Sequence, residues 1–388
     1  MHQKLKYPLS SDTWDNNEIN GINKVINSKK FTMSEQVLSF EKKFSKKFNS
    51  KYSVMTNSGS SANLLMLSLL KYKYGLTGDI IVPAVGWSTS YFPIHQLGFK
   101  INFVDVDLNS LNIDTDKIVK AITKNTAAIM AINLLGNSSN FYKLRKICNK
   151  HKILLIEDNC ESLGAKSNDG RFCGTIGKVG TFSFFYSHHL QTMEGGMVVC
   201  KSKDDYNFLK SLRAHGWCRD IDSSGLYKKT GNKFKDSFTF ITPGYCVRPL
   251  EMSGAIGIEQ LKKWKRLHLI RRSNAKYFFF KLRNNKNILL QEEEGESSWF
   301  GFSIILKNKL HGKRDKIIKE LDKIGIETRP IVTGNFLRQP VIKFLNYIDN
   351  KDYKAANIIH DQGFFVGNNP KNLEKEIDLL AKYLNSFD

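Results

Sequence analysis

Between residues 52 and 158, short apolar runs alternate with longer stretches of helical spacing, and nothing else in the chain constrains its fold as strongly. The apolar runs are Tyr52-Ser53-Val54-Met55-Thr56, Asp79-Ile80-Ile81-Val82-Pro83-Ala84, Ile101-Asn102-Phe103-Val104-Asp105, Ala127-Ala128-Ile129-Met130-Ala131-Ile132 and Lys152-Ile153-Leu154-Leu155-Ile156-Glu157-Asp158. Each has the length of a buried strand. The intervening stretches 89–97, 114–122 and 141–151 suit helices. Repeated strand, helix, strand predicts an α/β fold with a mostly parallel sheet covered by helices on both faces.

Two helices precede this pattern. The first runs through Ile19, Ile22, Val25 and Ile26, capped by Ser11 or Thr13; the second spans 34–48, with Glu35 near its start and paired lysines toward its end, as the helix dipole favours. Near residue 248 the pattern changes. A long helical stretch (250–283) is followed by short strands around 298–305 and helices at 313–324 and 373–384. The expectation is a large domain at 1–245 and a smaller C-terminal α/β domain at 246–388.

At 388 residues with 41% hydrophobic side chains, the chain has ample material for a full core. No run approaches the roughly 20 apolar residues of a membrane span, and the opening residues lack a signal-peptide core, so a soluble cytoplasmic protein is expected. The net charge of +22 comes from dispersed lysines and predicts a solvated basic surface rather than a nucleic-acid site. Six cysteines, at 148, 160, 173, 200, 218 and 246, are irregularly spaced, which predicts reduced thiols and neither a metal site nor an iron–sulfur cluster.

Four places carry candidate chemistry. Asn57-Ser58-Gly59-Ser60-Ser61-Ala62-Asn63 joins a strand to a helix, an arrangement that fits an anion site and an ordinary capped helix alike. Asp158 closes an apolar strand at the carboxyl edge of the sheet, where it either caps the next segment or faces a ligand. Trp87 follows another strand end. Most informative is the segment 181–196, in which Ser183 precedes His188 by five residues and Glu194-Gly195-Gly196 follows.

The frame Ser-Phe, a reactive position, then Glu-Gly-Gly resembles the cofactor segment of the DegT-type sugar aminotransferases, a pyridoxal phosphate (PLP) family of fold type I. The resemblance implies a phosphate cradle at Gly59, Ser60 and Ser61, with Ser183 contacting the same phosphate. It implies Trp87 stacked on the cofactor ring, Asp158 on the pyridine nitrogen and Glu161 one turn on. In the family the reactive position is a lysine that holds the cofactor covalently; here it is His188, and no lysine stands between Lys178 and Lys201. Imidazole cannot bond the cofactor as an amine does, so PLP and its amine form PMP are expected to bind noncovalently, with His188 moving protons at a pKa near neutrality.

Further segments resemble the branch of this family that removes a sugar hydroxyl: 187–196, Arg213-Ala214-His215-Gly216-Trp217, the run 247–257 and the run 329–336. They imply GDP-4-keto-6-deoxy-D-mannose as substrate, loss of its C3 hydroxyl, L-glutamate as the amine donor, and His215, Arg248 and Arg329 near the sugar nucleotide. They also imply a homodimer with shared active sites. At 246 this chain has Cys where the family usually has an Asn that reaches the partner subunit's phosphate. A CDP-sugar 3-dehydratase and a noncatalytic sugar-nucleotide-binding relic are the alternative expectations.

Overall fold

A computed structural model describes residues 5–222 and 227–387. Its strands are β1 (Tyr52–Thr56), β2 (Asp79–Pro83), β3 (Lys100–Val104), β4 (Thr126–Ile132), β5 (Leu154–Asp158), β6 (Val179–Ser183), β7 (Gly196–Cys200), β8 (Ile288–Leu290), β9 (Gly301–Leu306), β10 (Thr328–Arg329), β11 (Tyr347–Ile348) and β12 (Gly363–Gly367). The large sheet runs β1-β7-β6-β5-β4-β2-β3-β11. From β6 to β11 neighbouring strands are parallel, as the alternation predicts, while β7 is antiparallel to both β1 and β6.

Valine and isoleucine at buried positions hold the sheet between its helices. Ile80, Val82, Ile101, Phe103, Met130 and Ile156 pack on one face; Ile81, Val104, Ile129 and Leu155 pack on the other. The helix Glu35–Phe48 presents Phe40, Phe44 and Phe48 to Phe182 and Phe184, with Phe44 meeting the two strand-side rings edge-on at 5.2 and 5.6 Å. Emptying such a position would destabilise the protein by about 3–5 kcal/mol. The long helix Glu251–Leu282 lies tight against this helix: a Cβ on Gly254 would fall 2.6 Å from the Val37 nitrogen.

The first helix, Asn16–Ser28, is capped by Asp15 and not by Ser11 or Thr13. Asp15 accepts from the Asn17 N–H at 2.8 Å, and Glu18 accepts from the Asp15 N–H at 2.8 Å, a reciprocal capping box. Thr13 is occupied elsewhere: its hydroxyl bonds Gln191 and Gln260, each at 2.9 Å.

The smaller sheet is antiparallel, in the order β10-β12-β9-β8. The later turns of Glu251–Leu282 and the helices Arg314–Lys323 and Glu374–Asn385 cover it. Two crossings tie the sheets together. Tyr7 buries itself in the core of the small sheet, its hydroxyl donating to the Gly367 carbonyl at 2.7 Å. In return, Ile331, Phe336, Ala356 and Ile359 join the core of the large sheet, and β11 pairs with β3. Among the described residues no helix is long and apolar enough to cross a membrane.

Candidate active site

The carboxyl ends of β1, β2, β4, β5 and β6 open onto one cavity of about 600 Å3. Parallel strands deliver their following loops to the same edge, which is where open α/β sheets collect ligands.

At one end stands the N-terminus of the helix Gly59–Ser68, capped by Ser58, whose hydroxyl accepts from the Ser61 N–H at 3.1 Å. Gly59 and Ser60 line the cavity; Ser61 turns its hydroxyl to Ser58 and does not. The Ser60 hydroxyl donates to that of Thr89 at 2.8 Å, and Ser183 faces the cavity from the end of β6. A Cβ on Gly59 would lie 2.6 Å from the Ser183 Cβ, so only glycine lets the helix start and the strand end close into one cradle. Unpaired helix N–H groups and two hydroxyls suit a phosphate.

Deeper in, Asp158 at the end of β5 is fixed from three sides. Its Oδ2 accepts from Asn63 Nδ2 at 2.8 Å and from Ser90 Oγ at 2.6 Å, and its Oδ1 accepts from the Cys160 N–H at 3.0 Å. Asn63 is itself oriented by Thr181, which donates to its Oδ1 at 2.6 Å. A carboxylate held this way stays in place while it meets a protonated ring nitrogen. Glu161 lines the wall nearby and accepts from the Leu135 N–H at 2.9 Å. Burial, with a smaller contribution from Asp158, pushes its carboxyl up to about 7 despite that hydrogen bond. Trp87 leaves its indole exposed over the cavity mouth.

His188 stands in the opposite wall, half-buried, between the rings of Phe185 (5.9 Å) and Phe300 (5.1 Å). Its Nδ1 is shielded from solvent and has no hydrogen-bond partner. Burial, and secondarily the charge of Arg271, pushes its pKa down to about 4. The sequence expectation of a value near neutrality therefore gives way: imidazole packed against phenyl rings is resistant to protonation, and His188 rests as the neutral base. The adjacent His189 is fully buried and faces away, its Nε2 3.2 Å from the Ser298 carbonyl.

The cavity wall thus brings together Gly59, Ser60, Trp87, Asp158, Glu161, Ser183, His188 and Arg329. It does not include His215 or Arg248. Those two lie in a separate cluster around Trp217: the His215 ring is 5.1 Å from the indole, and the Arg248 guanidinium lies 5.8 Å from it and donates to Cys246 Sγ at 3.6 Å. Sequence reasoning left Ser90, Thr89 and Phe300 out of the site and placed Asn63 only in the candidate anion turn. Asn63 and Ser90 bear small polar groups at the second turn and the start of helices, and only the fold reveals that both reach Asp158.

The wall fits a flat, phosphorylated pyridine of the PLP type: a glycine-built cradle for phosphate, a fixed carboxylate for a ring nitrogen, an indole for the ring face, and an unpartnered imidazole nitrogen. No lysine is among the described residues that line the cavity.

The model of the DegT/DnrJ/EryC1/StrS aminotransferase family matches residues 12–384. The chain is 48% identical over 387 residues to the GDP-4-keto-6-deoxy-D-mannose 3-dehydratase of Escherichia coli O55:H7 (strain CB9615 / EPEC), covering 98% of this chain and 100% of that protein. The solved structure of an E. coli GDP-4-keto-6-deoxy-D-mannose-3-dehydratase with bound hydrated PLP superposes with a TM-score of 0.95 at 47% identity, covering 98% of this chain and 100% of the other. A GDP-4-keto-6-deoxymannose-3-dehydratase with a trapped PLP-glutamate geminal diamine gives 0.94 at 47% identity, with the same coverage.

Proposed function

We propose, for a chain that belongs to the DegT/DnrJ/EryC1/StrS aminotransferase family, that it is a PLP/PMP-dependent sugar 3-dehydratase acting on GDP-4-keto-6-deoxy-D-mannose. L-Glutamate regenerates the amine form of the cofactor. The sum is keto sugar plus glutamate giving the 3-deoxy keto sugar, 2-oxoglutarate and ammonia, with the waters released at C3 and in the two condensations matching those consumed in hydrolysis.

A single observation carries this reading: an imidazole, and no lysine, faces the reacting end of the cavity. When bound, PMP supplies an amine that condenses with the 4-keto carbon and a ring that accepts an electron pair. The chain's own residues do the rest. Gly59, Ser60 and Ser183 would hold the phosphate, and Asp158, locked by Asn63 and Ser90, would keep the ring nitrogen protonated. Neutral His188 would serve as base toward the cofactor's exocyclic carbon and then as acid toward the departing C3 hydroxyl. Glu161, pushed up to about 7, is able to stay protonated beside Asp158 and so donate a hydrogen bond to the ring.

Arg329 at the cavity mouth supplies a cation for the diphosphate or for a carboxylate of glutamate. The protein works as a homodimer in the cytoplasm. Support comes from Phe185, Tyr186 and Met193, apolar side chains left exposed in a single chain in and beside the 187–196 segment, which a second copy would cover. His215, Arg248 and Cys246 would then meet the partner's site from outside the cavity of their own chain.

The test is direct. Purified protein given GDP-4-keto-6-deoxy-D-mannose, PLP and L-glutamate should release ammonia and 2-oxoglutarate in equal amounts and form the 3-deoxy sugar. A stable 4-amino sugar with no ammonia would mean ordinary amination and would overturn the reading.

A further inference from the structure

Arg271 is the least expected charge in the fold. It sits within the helix Glu251–Leu282, is only 3% exposed, and has no carboxylate within ion-pair distance among the described residues. Its acceptors are backbone carbonyls: Nη1 donates to Phe300 at 3.4 Å and also to Asn368. Its Nε is buried without a partner. Burying a cation with neutral acceptors alone is unfavourable by several kcal/mol, and an apolar side chain of similar length would ordinarily serve the packing as well. Even so the group remains charged near neutral pH, because burial lowers its pKa only to about 9.

Its surroundings show what the charge acts on. Phe300, whose carbonyl it holds, puts its ring 5.1 Å from His188 and 5.7 Å from His189. The carbonyl of Asn368 is returned to the same knot, since Asn368 Nδ2 donates to the Arg271 carbonyl at 3.1 Å and to that of Trp299 at 2.8 Å. One guanidinium therefore locks the long helix, the start of β9 and the end of β12 around the imidazole pair.

We propose that Arg271 is a positioning residue for the reaction: an unpaired buried cation that fixes Phe300 against His188 and sets a positive charge beside the imidazole pair.

The groups facing His188 must be weighed together. From its own segment come His189 and Glu194; from β5 and the turn beyond it, Asp158 and Glu161; from the small sheet, Glu327 and Arg329 at the cavity rim; from the long helix, Arg271, with His268 and its Glu296 partner (3.6 Å) behind His189. Among them Arg271 adds, after burial, to holding the His188 pKa down. It bears on His189 as well.

The inference rests on His188 being the proton carrier, but its test reads the imidazole itself. Ring NMR signals of the histidines, followed between pH 4 and 8 in the cofactor-free protein, identify His188 by its disappearance in H188N. In R271M the His188 titration should move up by about one pH unit, as loss of a neighbouring like charge does. In R271K, which keeps the cation but not the two-carbonyl grip, it should stay near the parent value while kcat falls. The acid limb of kcat/KM should follow the same order. A titration that is unmoved in R271M overturns the proposal, as does one that rises equally in R271K. Should R271M not fold, R271K still decides: a His188 titration displaced upward with the charge retained would mean that the charge is not what matters. Failure of the dehydration reading would appear as absent turnover with the titrations as predicted, so the two outcomes are distinguishable.

Discussion

Asn63 Nδ2 donates to Asp158 Oδ2 at 2.8 Å, joining the second turn of the first sheet helix to a strand end 95 residues away. Ser90 donates to the same oxygen at 2.6 Å. Two donors on one oxygen hold the carboxylate rigidly in place, the orientation a pyridinium partner requires.

Removing that charge isolates its role. Asp158→Asn should leave cofactor phosphate binding largely intact while lowering kcat by roughly 100- to 1,000-fold, the scale of losing one preorganised electrostatic contact. Steady-state ammonia release checks the rate, and absorbance of cofactor retained after gel filtration checks the binding. Asn63→Ala should instead weaken folding by about 1–3 kcal/mol, because it removes one of the two donors on Asp158 Oδ2 and leaves the Thr181 hydroxyl only the longer bond to the Glu157 carbonyl. Denaturant midpoints read that effect.

Gly59→Ala puts a methyl 2.6 Å from the Ser183 Cβ, between two backbone elements that cannot both yield. The strain of about 1–3 kcal/mol should appear as a roughly 10- to 100-fold weaker affinity for PLP, with unchanged circular dichroism. Fluorescence titration with PLP measures it.

Glu161 gives a pH signature of folding. Its folded pKa, about 7, exceeds the ordinary 4.5, so the folded state holds its proton longer and this group's contribution to stability is lost as pH rises from 4.5 through 7. Glu161→Gln removes the penalty and still offers an oxygen to the Leu135 N–H. The variant should melt higher than its parent at pH 8 and close to it at pH 5 when both are cofactor-free. His188 and His189 act with the opposite slope: their folded pKa values lie below 6.5, so stability falls as pH drops from 6.5 toward 4.

Much of this arrangement is legible in the chain. The apolar run ending in Asp158 marks a strand by its length, and a strand that ends in a polar residue exposes it at the ligand edge. The exchange of lysine for His188 is visible only against the family frame. Three things are not legible. The antiparallel β7 begins at the second residue of the pair Gly195-Gly196, and the turn there hides the strand from an alternating pattern. Asp15 displaces Thr13 as the helix cap because Gln191 and Gln260, far along the chain, claim the threonine hydroxyl. The low pKa of His188 arises from burial, to which Phe300 contributes, and then from Arg271; both residues lie more than 80 positions away, where no local spacing reports them.

Absence of an amine at the reacting end makes a chemical prediction of its own. Borohydride added to the PLP-loaded protein should fix no cofactor on the chain, and peptide mass analysis should find every lysine unmodified by pyridoxyl. A pyridoxyl-lysine from any position in the cavity wall would point to transamination.

The most direct test concerns His188 itself. His188→Asn preserves size and polarity but cannot carry a proton. With cofactor and substrate binding verified, release of ammonia from glutamate and GDP-4-keto-6-deoxy-D-mannose should fall by roughly 100- to 10,000-fold, the range of general acid–base catalysis. Deoxygenation that continues at the parent rate in H188N would contradict the account.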